Sequence, residues 1–559
     1  MKKERLLYIL SVVIIIIIGL CLRLLYINSA LWYDEACSWT TAVKSFPTGI
    51  MNNLLELDLQ HTPLYFFLLH FWIQLFGDGE ITMRVLSLIF AIATIPLTYI
   101  VAKKISTENN ALFTSAITAI NPLLVLFGVE IRMYIIAAFL VLLSINFLID
   151  FEQKEKKKSL ILLCLTNILI PYTLVGASFY NLSLLIFYGK YLYKNNRDKF
   201  NRYKTFAIIE WIALIPYFIL ISYYATQRIN FVVAHEGSLA FFNIVDVIRN
   251  FFGAYLNPNV FWPASSPYNI TFLFTLFVIV PCVYFVWGFC CGQKKSTGFM
   301  RVLYDCILTT FIIAIMFALL KVNVFTCRYI LYLSIPCFIL SVISISKNLS
   351  SKHFKIFLIT YLISATYFNI ADAKRLRYSK MSSFKAVSIE AKQLNLGTDD
   401  IVIMPFGGDA DYYFKDISMP KLFFSDFHKT VRNPYGFYYD KVLSSSMLSE
   451  DKYKILYNSI INTEISSKRY YEFFVRNVNL YVPHGRFALI AMYDDDVAAI
   501  ISIEDLKSLV KDENYLKNNY LDAFLKKYMC DMIAMLDLDF KLVKKYQKGN
   551  YTYFLFQKR

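Results

Sequence analysis

The stretch LLYILSVVIIIIIGLCLRLLYI, residues 6–27, followed after a short gap by LWYDEA, residues 31–36, decides the fold class of this chain. The first run is apolar over the length of about 20 residues that a helix needs to cross a bilayer. The second places Asp34 and Glu35 beside two aromatic rings at the membrane edge. Ionisable groups there predict a functional site. The alternative is an interfacial aromatic belt with solvated acids in a loop.

Composition agrees with a membrane protein and excludes an ordinary soluble one. The 559 residues are 57% hydrophobic and 17% aromatic, with a mean hydropathy of +0.48. The net charge of +16 comes from Lys and Arg in short clusters between apolar runs, so we read it as a topology signal and predict no nucleic-acid partner. Nine of the ten cysteines lie in or beside apolar segments, and their spacing predicts neither a disulfide framework nor a metal site.

Runs of suitable length predict about eleven transmembrane helices. Basic clusters recur in alternate loops, and the positive-inside rule assigns these loops to the cytoplasm. The predicted spans are residues 6–27, 82–102, 110–127, 132–150, 159–175, 177–193, 205–224, 269–290, 302–320, 328–346 and 355–371.

The segment 61–76 decides whether this topology is consistent. As a helix it would be roughly 24 Å long, against about 30 Å of hydrocarbon, and it contains Pro63, His61, His70 and Gln74. We therefore predict a helix in the outer interface instead of a span. The N-terminus is then cytoplasmic and everything after residue 371 is extracytoplasmic, in a multi-pass protein of the plasma (inner) membrane.

After residue 371 the apolar runs shorten and the charges become mixed. Strands are predicted at 401–405, 486–492, 541–546 and 551–556, and helical spacing recurs at 384–394 and 503–511. These patterns predict an α/β extracytoplasmic domain over 372–559, beside a transmembrane domain over 1–371.

The polar groups that this topology places at the outer face suit transfer of a sugar from a lipid phosphate. That reaction needs a base for the acceptor proton and cations for the departing phosphate, which gains negative charge as it leaves. Asp34 is the candidate base, with Glu35, Glu130 and His61 as helpers, and the candidate phosphate contacts are Arg132, Arg84 and Arg328. Snorkelling arginines, an interfacial anchor at Arg328, a packing role for His61 and a structural Glu130–Arg132 ion pair are the alternatives.

The order of these motifs resembles the GT-C glycosyltransferases, in the branch of bacterial polyprenyl-phosphate-sugar transferases related to protein O-mannosyltransferases and to the aminoarabinose transferase of lipid A. The resemblance covers about residues 1–345. Its motifs are the acidic pair at 34–35, His-x-Pro-Leu-Tyr-Phe at 61–66, Gly-Asp at 77–78 with Arg-Val-Leu-Ser at 84–87, Asn-Pro at 121–122, Glu-x-Arg-Met-Tyr at 130–134 and Arg-Tyr at 328–329. Where some branches carry Lys before the proline, this chain has Thr62.

The resemblance implies an inverting transferase that moves a monosaccharide from a polyprenyl-phosphate donor to an acceptor hydroxyl at the outer face of the membrane. Its predicted catalytic residues are Asp34, Glu35 and Glu130. Its predicted substrate-binding residues are His61, Arg84, Arg132, Tyr134, Arg328 and Tyr329.

Several alternatives stay open at this stage. The acceptor could be a glycan, a lipid or a protein, and membrane lipids surround the spans. Asp34, Glu35 and Glu130 could hold a divalent cation, although no ligand spacing requires one. A lipid or glycan transporter (a flippase) and a non-catalytic docking protein are the other functional classes. A transporter would need charged groups near the bilayer midplane and internal repeats, and the sequence shows few of the former and none of the latter.

Overall fold

The structure is a computed structural model that describes residues 2–57, 61–232, 268–319 and 326–378. After 378 it describes the segments 401–404, 412–416, 421–423, 486–492, 503–511, 540–548 and 551–558 and a few single residues. The chain falls into two compact units. The first contains the described residues of Met1–Ser29, Ser38–Arg228 and Leu239–Lys380, and the second those of Ala30–Cys37, Ile229–Ser238 and Met381–Arg559.

The first unit is built from α-helices. The helices before residue 130 are α1 (Lys2–Leu24), α2 (Tyr33–Ala42, whose first residues belong to the second unit), α3 (Thr48–Leu57), α4 (Leu64–Phe76), α5 (Glu80–Ile105), α6 (Glu108–Ile120) and α7 (Pro122–Leu126). Those after it are α8 (Tyr134–Lys154), α9 (Lys157–Thr173), α10 (Ser178–Asn195), α11 (Arg197–Ala213), α12 (Ile215–Val232, whose last residues belong to the second unit), α13 (Tyr268–Lys295), α14 (Gly298–Leu319), α15 (Ser334–Asn348) and α16 (Ser351–Tyr378).

Five of the described helical segments are long and apolar enough to cross a membrane: Leu6–Leu24, Glu80–Ile105, Tyr134–Lys154, Gly298–Phe317 and Leu331–Asn348. A sixth is counted if α11 and α12, which meet at an angle of 47°, form one bent span. The protein is therefore a multi-pass membrane protein. Described helices lie in all eleven predicted spans, but several are short, bent or rich in polar residues, so the count of eleven stays a prediction.

Helix α4 has the length expected of an interfacial helix. Its 13 residues, Leu64–Phe76, extend about 20 Å. It begins after Pro63, and it ends at Gly77, which has a φ of +85° that most residues with a Cβ avoid. The segment is apolar but too short to span the hydrocarbon, which is the property on which the predicted topology depends.

The predicted span 110–127 is broken into two helices. Helix α6 ends at Ile120, and Asn121 then caps α7, because its side-chain oxygen accepts a hydrogen bond from Leu124 N at 3.1 Å. Pro122 at the first position of α7 has no N–H to lose there. The Asn-Pro pair therefore starts a new helix, where hydropathy alone predicted a continuous one.

Arg23 of α1 forms hydrogen bonds at the break between α6 and α7. Its guanidinium is 1% exposed and donates from Nη1 to Gly19 O and Ala119 O, both at 2.9 Å, and from Nη2 to Leu124 O at 3.2 Å. The carbonyls at the end of α6 and in α7 cannot find water in an apolar interior. A Cβ on the adjoining Gly128 would lie 2.9 Å from Arg23 Nε, so the guanidinium fills this space closely.

Arg23→Met should lower the free energy of unfolding by about 2 kcal/mol or more, because it leaves buried carbonyls without a donor. Thermal unfolding of the purified protein in detergent is the measurement. Arg202→Met is the control, since the Arg202–Glu155 pair at 2.6 Å is about half exposed and should contribute little. Equal losses in the two variants would contradict the capping role of Arg23.

The second unit contains a five-stranded sheet in the order β2-β1-β3-β5-β4. The strands are β1 (Ile401–Met404), β2 (Lys421–Phe423), β3 (Arg486–Met492), β4 (Phe540–Lys548) and β5 (Tyr551–Lys558), with α17 (Ile503–Val510) between β3 and β4. β1 is parallel to β2 and β3, whereas β5 is antiparallel to β3 and β4. Four strands and α17 lie where the sequence predicts them; the segment 384–394 is mostly outside the described residues.

Candidate active site

The turn between α7 and α8 carries the motif Glu130-x-Arg132-Met133-Tyr134. The Glu130 carbonyl accepts two hydrogen bonds, from Arg132 N at 2.8 Å and from Ser87 Oγ of α5 at 2.6 Å. These bonds fix the backbone of the turn against α5 before α8 begins at Tyr134. The positions of the Glu130 and Arg132 side chains are therefore set by secondary structure on both sides.

Arg132 is 3% exposed and lies at the centre of the site. Its Nη1 donates to Ser38 Oγ of α2 at 3.1 Å, and its Nη2 donates to Nε2 of His61 at 2.8 Å. A guanidinium has donors only, so His61 Nε2 must accept, and this His61 is the neutral imidazole with its proton on Nδ1. Both of these partners are uncharged, and they fix the orientation of the guanidinium.

His61 precedes α4 and is itself held in place. Its side chain is 3% exposed, and its carbonyl accepts a hydrogen bond from Tyr224 OH of α12 at 3.0 Å. Pro63 follows two residues later, at the start of α4. Contacts of both the side chain and the backbone of His61 thus fix the position of its imidazole.

Aromatic rings border Arg132. The Tyr134 ring centroid is 5.9 Å from Arg132 Cζ and 5.8 Å from the Tyr329 ring, which it meets edge-on. Arg328 Cζ is 5.3 Å from the Tyr329 ring centroid. Two cations near the faces of two tyrosines make a cationic, aromatic environment. The chain just after Tyr329 is held in place by Tyr332, whose OH donates a hydrogen bond to Gly176 O at 2.7 Å.

Two buried hydroxyls adjoin the Arg132–His61 pair. Tyr134 OH and Thr62 Oγ1 are fully buried and make no hydrogen bond within the part of the chain that the structure describes. A buried hydroxyl without a partner costs about 1–3 kcal/mol. Such groups are uncommon in a folded interior, and they fit a site that receives a polar ligand.

The acidic pair occupies the first turn of α2. Glu35 is 1% exposed, and its Oε2 accepts a hydrogen bond from Trp32 N at 3.4 Å, which is one arm of a capping box. Asp34 is only partly buried. Negative charges there are favoured by the helix dipole. Glu35 therefore has a local role in starting α2, and Asp34 is the more accessible of the two carboxylates.

Arg84 of α5 is 1% exposed, and its Nη1 donates to the carbonyls of Ile27 and Ser29. These contacts tie α5 to the chain just after α1. A residue this deeply buried does not extend to the headgroups, so the snorkelling alternative does not describe it. A role for Arg84 in phosphate binding stays a prediction.

The structure thus brings Glu130, Arg132, His61, Tyr134, Arg328 and Tyr329 together within the helical unit. Ser38 is a site residue that sequence reasoning missed. It could have been found only if the segment after Asp34 had been recognised as a helix, because Ser38 then follows Asp34 by one turn. Among the described residues, no group of three or more His, Cys, Asp or Glu side chains is arranged to hold a metal ion.

Residues 60–222 match the family model described as dolichyl-phosphate-mannose-protein mannosyltransferase. The fold is similar to that of the crystal structure of ArnT from Cupriavidus metallidurans in the apo state, with a TM-score of 0.51 and 10% identity, over 99% of this chain and 98% of that chain. The chain shares the fold of this ArnT structure. The resemblance predicted from the ordered motifs is confirmed, and the matched segment 60–222 includes His61, Arg84, Glu130, Arg132 and Tyr134.

Two further structures are similar to this chain. ArnT from Cupriavidus metallidurans bound to undecaprenyl phosphate matches with a TM-score of 0.49 and 10% identity, over 99% of this chain and 98% of that chain. The oligosaccharyltransferase of Archaeoglobus fulgidus tethered with an acceptor peptide matches with a TM-score of 0.46 and 12% identity, over 98% of this chain and 74% of that chain. No curated protein sequence matches the chain significantly.

Proposed function

We propose that this GT-C protein transfers a monosaccharide from a polyprenyl-phosphate donor to an acceptor hydroxyl, with inversion, at the extracytoplasmic face of the membrane. The observation that carries the proposal is the buried guanidinium of Arg132, held by Ser38 and His61. The match of residues 60–222 to a family described by a dolichyl-phosphate-linked sugar supports the class of donor.

The chemistry explains why a buried cation would be used here. A lipid phosphodiester carries one negative charge and gains a second as the bond from sugar to phosphate oxygen breaks. A guanidinium oriented beforehand binds that growing charge more strongly in the transition state than in the ground state. Because the departing phosphate is stabilised in this way, it needs no proton. Two N–H groups of one guanidinium can also hold two phosphate oxygens at once.

Asp34 is the proposed base. The acceptor hydroxyl loses its proton to the Asp34 carboxylate as its oxygen forms a bond to the anomeric carbon, and the polyprenyl phosphate leaves from the opposite side. A single displacement of this kind inverts the anomeric configuration. The interval from Asp34 to Ser38 is one helical turn, so α2 carries both on one face.

The other predicted residues have supporting roles in this proposal. Glu35 starts α2 and so fixes the direction of Asp34. Glu130, Arg328 and Tyr329 line the substrate region, and Tyr134 OH and Thr62 Oγ1 donate to phosphate or sugar oxygens. A hydroxyl that has no protein acceptor in the described chain can turn its hydrogen toward a bound anion without breaking a bond.

Tyr134→Phe tests this assignment without disturbing the fold. Since Tyr134 OH has no hydrogen bond in the described chain, its removal should leave the free energy of unfolding unchanged or slightly higher, while transfer falls about tenfold or more. Tyr332→Phe is the matched control, because its OH donates to Gly176 O and its loss should destabilise the protein. A loss of stability in Tyr134→Phe, with transfer preserved, would contradict a ligand-binding role for Tyr134.

The proposed activity is tested by incubating membranes that contain the protein with polyprenyl-phosphate sugars labelled in the sugar. A labelled glycan, lipid or protein that depends on the chain is the expected result. A flippase would instead move the labelled lipid between leaflets and leave the sugar attached to phosphate. That outcome would refute the transferase and support the transporter.

A further inference from the structure

A second site lies away from the candidate active site, in a groove between α10 and α11. The groove has a volume of about 650 Å³, within the range of sites that hold a ligand of moderate size. Its walls are mostly apolar and aromatic, and they include Leu185, Phe200, Ala207, Ile208, Trp211 and Ile212. We call it the α10–α11 groove.

Lys190 and Lys204 also line the α10–α11 groove. Both are exposed, and neither makes an ion pair or a side-chain hydrogen bond with any residue that the structure describes. Cations left without acids beside an apolar surface are complementary to a ligand that is both apolar and anionic.

Two acids near the turn between α10 and α11 are paired with other cations, and Asp198, in the first turn of α11, is exposed and does not line the α10–α11 groove. Glu152 is 3.0 Å from Lys199 Nζ, and Glu155 is 2.6 Å from Arg202. The hydrogen bond from Arg202, with help from Lys199, lowers the pKa of the Glu155 carboxyl from its usual value. Neither carboxylate lines the α10–α11 groove. The two groove lysines therefore do not share their charge with these neighbouring acids.

The part of the α10–α11 groove from Lys204 onward has the length of one leaflet. From Lys204 to Ile215, at its far end, eleven residues of helix extend about 16 Å. Half of the hydrocarbon core is about 15 Å thick. Ile215 is also where α11 gives way to α12 at an angle of 47°. The groove thus has two lysines in its wall and, from Lys204 to Ile215, an apolar length suited to one acyl chain.

We propose that the α10–α11 groove binds an anionic phospholipid, with its phosphate-bearing headgroup at Lys190 and Lys204 and one acyl chain along Ile208, Trp211 and Ile212. A zwitterionic lipid fits the apolar length equally well. Its quaternary ammonium, however, would add positive charge near two lysines, so the site selects for net negative charge.

The test is native mass spectrometry of the full-length protein in detergent, titrated with phosphatidylglycerol or with phosphatidylcholine of the same acyl chains. Wild type should bind the anionic lipid more tightly. Lys190→Gln with Lys204→Gln should weaken phosphatidylglycerol binding by roughly 10- to 30-fold and leave phosphatidylcholine binding unchanged. Equal binding of the two lipids to wild type would overturn the proposal.

Two further variants distinguish lipid binding in the α10–α11 groove from a general effect of positive charge. Lys157→Gln with Lys158→Gln removes two exposed lysines outside the groove and should leave binding unchanged. Gly189→Leu should weaken binding of both lipids, because a Cβ there meets only Tyr203 Cε1, at 3.9 Å, and a side chain would enter the groove. Equal effects of the two lysine pairs, or a change in oligomeric mass instead of lipid binding, would refute the assignment.

Discussion

Asp34→Asn is expected to lower the rate of sugar transfer by roughly 10²- to 10⁴-fold, the usual contribution of a general base. The amide has nearly the shape of the carboxylate but cannot accept the acceptor's proton. Donor binding should change little, because binding is assigned to the guanidinium and the hydroxyls. The effect should therefore fall on kcat, measured with a labelled polyprenyl-phosphate sugar, and not on the KM for the donor.

The neighbouring acid supplies a control for Asp34. Glu35→Gln keeps an oxygen that can accept from Trp32 N, so α2 should still form and transfer should fall far less than in Asp34→Asn. Thermal unfolding of both variants checks that neither loses its fold. Transfer close to the wild-type rate in a folded Asp34→Asn variant would remove Asp34 from the mechanism and leave Glu130 as the next candidate.

The sequence predicted several motifs that meet around Arg132, but not all of the helices that hold them. The motifs at 34–35, 61–66, 130–134 and 328–329 were assigned to one membrane face by topology alone, and the last three meet around Arg132 within the helical unit. Charge clusters and span lengths determine which ends of helices share a face. They cannot determine which side chains touch, so the contacts from Ser38 and His61 to Arg132 became visible only in the structure.

The helices differ from the prediction where backbone polar groups form hydrogen bonds with nearby side chains. Helices α2 and α3 were not predicted, because short amphipathic or polar segments give no hydropathy signal. The break between α6 and α7 was missed for a related reason. Asn121 provides a cap, Tyr361 contacts its amide, and Arg23 covers the nearby carbonyls, so ending a helix within an apolar run costs little. The strands after residue 400 were easier to predict, because alternation and turn residues are local signals.

Arg132→Lys is expected to reduce transfer by roughly 10²-fold or more although it keeps the positive charge. Lysine offers one compact ammonium and cannot bond Ser38, His61 and two phosphate oxygens in the fixed plane of a guanidinium. Because the developing phosphate charge is greatest in the transition state, kcat should fall more than affinity for the donor. The measurement is steady-state transfer at saturating and at limiting donor concentrations.

Ser38→Ala is a milder change that tests how far the orientation of the Arg132 guanidinium matters. It removes the hydroxyl that orients Nη1 but leaves the guanidinium and the His61 contact in place, so transfer should fall only a few-fold to about tenfold. The order wild type, Ser38→Ala, Arg132→Lys, Arg132→Met in falling activity would then reflect progressive loss of orientation and finally of charge. If Arg132→Lys matched wild type in kcat and in donor KM, the guanidinium would have only a structural role. The cation that stabilises the leaving phosphate would then be Arg328 or Arg84.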